Sequence, residues 1–193
     1  MQLERFKEED GRRVRLTESE RDRLLSVYGT DAEKQIALSL MARCGCRSHE
    51  ANSVRPMDVL EGDETGRWFL RIPDGKGEKE RQTPMPLDLA GMIRGRDGEP
   101  GEPVVDVSTR TLRRWVRRAA EERAAEEDDD RWLHLSTHDL RRTWGHLALE
   151  AGVQPSVLMQ WGGWDDYQTF KRHYLGKHSE AVQAREADKV AWL

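Results

Sequence analysis

Nine residues, Ser136-Thr137-His138-Asp139-Leu140-Arg141-Arg142-Thr143-Trp144, constrain the fold more than any other stretch of this 193-residue chain. They read as the entry to a helix, with Ser136 or Thr137 as N-cap and a periodic run of Leu140, Trp144, Leu147 and Ala148 behind it. His138 and Arg141 lie three residues apart and share a face of the first turn. That turn also offers backbone N–H groups without helical partners and the positive end of the helix dipole, where phosphate is stabilised. An imidazole, a guanidinium that keeps its proton and a helix N-terminus together suit the charge of a pentacovalent phosphorane. Taken alone, His-x-x-Arg more often marks the basic face of a capped surface helix, so the rest of the chain has to decide.

The flanking sequence predicts a mainly helical domain of α+β class with a small antiparallel sheet between residues 59 and 86. Residues 1–15 are charged and aperiodic and are expected to be a tail or a loosely docked arm. Thr17-Glu18-Ser19-Glu20 has the capping-box form, with a helix to about Tyr28. A second helix carries Ile36, Leu38, Leu40 and Met41 inward and ends at Gly45. Arg47-Ser48-His49-Glu50 begins a short helix that Pro56 stops. Trp68 to Ile72 and Arg81 to Met85 read as strands around a hairpin tip at Asp74-Gly75-Lys76-Gly77-Glu78. Ser108 to about Ala125 is a long helix with Leu112, Trp115, Val116 and Ala119 inside. Short helices are expected from Pro155, from Asp165 to His173 and from about Ser179.

Composition narrows the class. Charged residues make up 35% of the chain and no apolar run reaches membrane-spanning length, so a cytoplasmic protein is expected. Cys44 and Cys46 are too close in sequence for a useful disulfide and sit in an apolar stretch, as in a reducing compartment. A zinc module built on Cys44, Cys46 and His49 is disfavoured, because two cysteines one residue apart give poor zinc geometry. The net charge of −4 argues mildly against nucleic acid, yet Arg110, Arg113, Arg114, Arg117 and Arg118 form a run without an acid among them, followed by the acidic 126–130 stretch.

Five pieces then arrive in a fixed order: Gly45-Cys46-Arg47-Ser48-His49-Glu50, the Gly75-Lys76-Gly77 hairpin, His138-x-x-Arg141, Gly163-Trp164 and Tyr174. This order resembles the catalytic domain of the tyrosine recombinases, the phage integrase family, over roughly Leu16 to Gly176. The resemblance implies a helical domain of the DNA breaking–rejoining type, flanked by a 1–15 tail or linker and a 177–193 helical tail. That last segment, with Val182, Ala187, Val190 and Trp192, either exchanges between subunits or folds back on its own core.

The resemblance also implies roles. Arg47 and Arg141 would grip the non-bridging phosphate oxygens, with Glu50 orienting Arg47. Lys76, with Lys79 as its rival on the same hairpin, would protonate the departing 5′ oxygen. His138 would donate to the phosphate or relay a proton. Tyr174, in preference to Tyr167, would be the nucleophile. Trp164 stands where the family usually carries histidine; its indole can donate one hydrogen bond but cannot shuttle protons. Arg110, Arg113, Arg114, Arg117, Arg118 and Arg142 are candidates for the DNA backbone.

The implied partners are double-stranded DNA and further copies of the chain, as a tetramer on DNA. No cofactor, metal or ATP is implied, and no membrane. Only about fifteen residues precede the resemblance, where relatives carry a DNA-clamping domain. The chain is therefore expected to be an excised domain, or to rely on oligomerisation or an accessory DNA-binding factor. A catalytically silent DNA-binding protein of the same fold and a relaxing topoisomerase of type IB character are the alternatives.

Overall fold

The computed structural model of the chain describes residues 1–5, 12–73, 80–174 and 180–189. In chain order these form β1 (Gln2–Arg5), β2 (Arg12–Arg15), α1 (Glu18–Ser26), α2 (Ala32–Arg43), α3 (Ser48–Ala51), β3 (Val59–Glu61), β4 (Trp68–Ile72) and β5 (Arg81–Pro84). The second half follows as α4 (Leu87–Arg94), α5 (Thr109–Glu127), α6 (Thr137–Glu150), α7 (Pro155–Gly162), α8 (Tyr167–Tyr174) and α9 (Glu180–Ala187).

Helix α2 is the centre. Every residue from Ile36 to Ala42 is buried, and a helix apolar on all sides has neighbours on all sides. Helices α1, α4, α5 and α6 supply them. Helix α6 begins at Ser136, whose Oγ accepts from the Asp139 N–H. In return the Asp139 carboxylate accepts from the Ser136 N–H at 3.0 Å. This reciprocal cap fixes the start of α6 and so the angular position of everything it carries. Helix α5 starts on Ser108, turns Leu112, Trp115, Val116 and Ala119 inward, and stops where Asp128 takes a left-handed conformation at φ 50°.

The sheet is antiparallel in the order β3-β4-β5, with Val59 opposite Leu70 and Ile72 opposite Arg81. Leu70 and Ile72 face the core. Two of its strands were expected; β3 adds a short third. The expected hairpin tip, including Lys76 and Lys79, lies outside the described residues. Helix α4 was not expected. It is a short amphipathic turn after Pro86 that buries Leu89, Ala90 and Ile93, and its eight residues carry too few periods to stand out.

The opening segment corrects the expectation of a tail or loosely docked arm. Strands β1 and β2 pair antiparallel, with Leu3 opposite Val14. Val14 and Leu16, two residues apart and so on one side of the strand, are buried in the core. The Leu16 N–H donates to Thr143 Oγ1 at 3.1 Å, and the terminal ammonium of Met1 meets Glu20 Oε1 at 2.5 Å.

Thr143 is fully buried, so the shape-conserving change Thr143→Val removes the acceptor of a buried N–H. We predict a loss of about 1–3 kcal/mol, seen as a lower urea midpoint with an unchanged slope. An unaltered midpoint would mean that β2 is not docked on α6 in solution.

Candidate active site

Arg141 lies on the second turn of α6 and points inward, 2% exposed. Its Nη1 donates to the Gly45 carbonyl, and its Nη2 donates to the Gly162 carbonyl at 2.5 Å. These two carbonyls close the C-terminal ends of α2 and α7, where the helix dipoles are negative, so a buried cation is answered without a carboxylate of its own. The guanidinium also sits 4.4 Å from the centre of the Trp164 ring. Both glycines are sterically required. Gly45 has φ 68°, and a Cβ there would fall 2.3 Å from the Trp144 ring. A Cβ at Gly162 would fall 1.9 Å from the Trp164 ring.

Beside Arg141 lies a second, denser knot. Arg47 precedes α3, and its backbone N–H donates to Glu50 Oε2 at 2.5 Å while its Nη1 donates to Glu50 Oε1 at 3.0 Å. Glu50 therefore holds Arg47 by two hydrogen bonds, and it has a second partner. Arg81, the first residue of β5, grips the same carboxylate bidentately at 2.6 and 2.9 Å, and its Nε donates to the Trp161 carbonyl at 3.0 Å. The sequence reading passed over Arg81. The signal was there: on the strand Arg81 to Met85, the alternation that buries Thr83 and Met85 also turns Arg81 inward, and a charge on an inward face needs a partner.

The charges shift one another. Burial alone would push the Glu50 carboxyl up, but the hydrogen bonds and charge of Arg81, then Arg47 and Arg141, hold it at about 2. Arg141 is lowered to about 10 by burial first and then by repulsion from Arg47 and Arg81. Two guanidiniums hold the one carboxylate and Arg141 lies beside them, so the knot carries surplus positive charge, which suits an anion.

Tyr174 closes α8 in a second, aromatic cluster with Trp144, Leu158 and Phe170. Its ring centre is 4.8 Å from Trp164, 5.1 Å from Phe170 and 5.3 Å from His146. It lies against Gly145 of α6, where a Cβ would fall 2.5 Å from the ring. Burial raises the phenol, and the charges of Arg141, Arg142, Arg47 and Arg13 oppose that rise. Trp164 thus touches both the Arg141 guanidinium and the Tyr174 ring. His146, also passed over, is lowered to about 4 by burial and then by Arg15 and Arg142, so it is neutral at ordinary pH. Its Nδ1 lies 3.5 Å from Arg15 Nη1.

Other expected residues lie further out. His138 is exposed on the first turn of α6, at a different depth from Arg141 although on a neighbouring position of the helix. The dipole at that helix end is partly answered by Asp139, which also pairs with Arg142 at 3.3 Å. Tyr167 is 49% exposed and apart from the aromatic cluster. Arg110, Arg113, Arg114, Arg117 and Arg118 all face solvent from α5. Cys44 and Cys46 are buried thiols raised by burial. Among the described residues no group of three or more His, Cys, Asp or Glu side chains is placed to hold a metal ion, and no helix is long and apolar enough to cross a membrane.

Comparison with known proteins identifies the family and the fold. The model of the phage integrase family matches residues 14–180. The integrase of Salmonella phage P22 is 36% identical over 74 residues, which cover 38% of this chain and 18% of that protein. The crystal structure of XerA recombinase superposes with a TM-score of 0.70 at 18% identity, covering 92% of this chain and 65% of that one. The Tn1549 transposon integrase, in complex with transposon right end DNA, gives 0.67 at 16% identity, covering 92% and 66%. The structural likenesses show the fold, and this chain spans less than two thirds of each of these proteins.

The held carboxylate gives a pH signature. Glu50 is lowered from an ordinary 4.5 to about 2, so its contribution to stability is complete above pH 4.5 and is lost as pH falls toward 2. We predict that the gap in unfolding free energy between the wild type and Glu50→Gln, measured in urea, narrows by about 2 kcal/mol between about pH 6 and about pH 3. A constant gap would show that Glu50 is not held ionised by its arginines.

Proposed function

The chain belongs to the phage integrase family, and on that premise we propose that it is the catalytic module of a site-specific tyrosine recombinase. It would cut and rejoin double-stranded DNA through a 3′-phosphotyrosine. The observation that carries this reading is the meeting of Arg141, Trp164 and Tyr174, with Arg47 beside them, from four separate parts of the chain around a surplus of positive charge.

The chemistry follows from the side chains. Arg47 and Arg141 bind the non-bridging oxygens of the scissile phosphate, where guanidinium geometry and permanent charge suit the transition state. A guanidinium has five N–H donors, and the two carbonyls that anchor Arg141 do not use them all. The Tyr174 oxygen attacks phosphorus, the bond from phosphorus to the 5′ oxygen breaks, and the phenolic proton is lost to solvent, with His138 either relaying it or donating to the phosphate. Lys76, or Lys79, delivers a proton to the departing 5′ oxygen. Trp164 holds Arg141 and Tyr174 in register by ring contact and carries no proton. The phosphate ester persists in the phosphotyrosine, so rejoining to a 5′-hydroxyl needs no ATP, and the two guanidiniums supply the positive charge a metal would otherwise bring.

Arg110, Arg113, Arg114, Arg117, Arg118 and Arg142 would contact the phosphate backbone, which positions the enzyme without reading sequence. Exchange between two duplexes cuts four strands and calls for four copies, with an accessory DNA-binding factor where the grip of one module falls short; the C-terminal helix either exchanges between copies or stays on its own core, where Arg185 already donates to the Glu150 carbonyl. On this reading the enzyme works in the cytoplasm, where its DNA lies.

A nicked duplex that traps the cleaved strand tests the reading. We predict a denaturant-stable protein–DNA band with the wild type, and no band but unchanged DNA affinity with Tyr174→Phe. An adduct surviving that change would refute the assignment; binding without any adduct would favour a DNA-binding protein of the same fold that does not turn over. Replacing both Arg113 and Arg117 with alanine should weaken binding to all sequences alike and lower the slope of log affinity against log salt by about 2. An unchanged slope would remove α5 from the DNA interface.

A further inference from the structure

Arg81 joins three parts of the site that the chain supplies separately. Through its bidentate grip on Glu50 it reaches α3 and Arg47. Through its Nε bond to the Trp161 carbonyl it reaches the last turn of α7. Its aliphatic stem lies under the turn that follows. Gly163, at φ 65°, passes so close that a Cβ there would fall 2.8 Å from Arg81 Cδ. That turn presents the Gly162 carbonyl to Arg141 and carries Trp164 to Tyr174. Arg81 itself opens β5, which pairs antiparallel with β4 and sets Arg81 opposite Ile72.

We propose that Arg81 is a positioning residue of the active site, which sets Arg47 through Glu50 and sets Arg141, Trp164 and Tyr174 through the Trp161–Gly163 turn. The inference rests on the recombinase reading above and goes beyond it, since Arg81 touches neither the phosphate nor the nucleophile in that mechanism. A neutral residue could fill the space but could not hold three fixed acceptors, and lysine offers no planar fork for a bidentate grip. The physical consequence is a matter of reach. A phosphate clamp displaced by about 1 Å loses on the order of a hundredfold in rate while the electrostatic attraction for DNA, spread over many arginines, hardly changes.

Arg81 also keeps Glu50 ionised. The groups facing Glu50 are Arg47 from the residue before α3, Arg81 from β5, Arg141 from α6 and the buried Cys46 thiol. Of these Arg81 is the strongest partner. Without it, a carboxyl still buried takes up a proton at higher pH and releases Arg47.

The test uses the whole chain, the trapping duplex and single-turnover adduct formation across pH, with Arg81→Lys compared with the wild type. If the wild type forms no adduct, the recombinase reading fails and this inference falls with it. Given a wild-type adduct, we expect Arg81→Lys to bind the duplex within about threefold of wild type and to form adduct at least a hundredfold more slowly. Its rate should also drop toward acid in a range where the wild-type rate is flat. A rate within about threefold of wild type, or a slow rate with the wild-type pH profile, overturns the proposal.

Should Arg81→Lys not fold, the neutral pair Glu50→Gln with Arg81→Met removes both charges together and restores the balance. Adduct formation should remain at least a hundredfold slow in that pair, and recovery to the wild-type rate overturns the proposal.

Discussion

Three guanidiniums, those of Arg47, Arg81 and Arg141, are gathered around the single carboxylate of Glu50, and the interior of this protein is arranged so that they can be. Burying a cation costs several kcal/mol unless charge or dipoles answer it. Glu50 answers two of the three. Arg141 is answered by the terminal carbonyls of α2 and α7 and by the face of Trp164. Those carbonyls reach the guanidinium only because the chain turns sharply at Gly45 and at Gly162–Gly163, where any side chain would strike an indole ring or the stem of Arg81. The helix ends, the glycine turns and the tryptophans are thus parts of one solution to one electrostatic problem.

That solution leaves charge over. Arg141 is lowered by its cationic neighbours as well as by burial, so a bound anion would relieve a repulsion already present in the free protein. The same field bears on Tyr174, whose burial among aromatic rings disfavours the phenolate while four arginines favour it. The aromatic cluster gives the phenol a fixed place, and the cationic knot gives it a fixed field. Trp164 belongs to both and transmits position, through packing, between them.

Much of the architecture was legible in local signals. The capping box at Thr17–Glu20 and the N-cap candidates Ser136 and Thr137 declared two helix starts, Ser108 declared a third, and the inward stripe of α5 followed from its period. The segment before Leu16 misled because its charges hide Val14, which anchors it beside Leu16. Helix α4 misled because eight residues between prolines and glycines carry little periodic signal.

What the sequence determined by itself was the order of the five motifs, the helical frame between them and the residue types suited to phosphate, because caps, periods and side-chain chemistry are properties of neighbours in the chain. Depth and partnership came from packing. His138 and Arg141, three residues apart, lie at the surface and in the interior respectively, since the packing of α6 on α2 and not helical spacing sets burial. Arg81 was invisible as part of the site because its partners, Glu50 and the Trp161 carbonyl, are 31 and 80 residues away in sequence. A long-range hydrogen bond leaves no mark on either partner's immediate neighbourhood, so the joint that holds the site together appears only once the chain is folded.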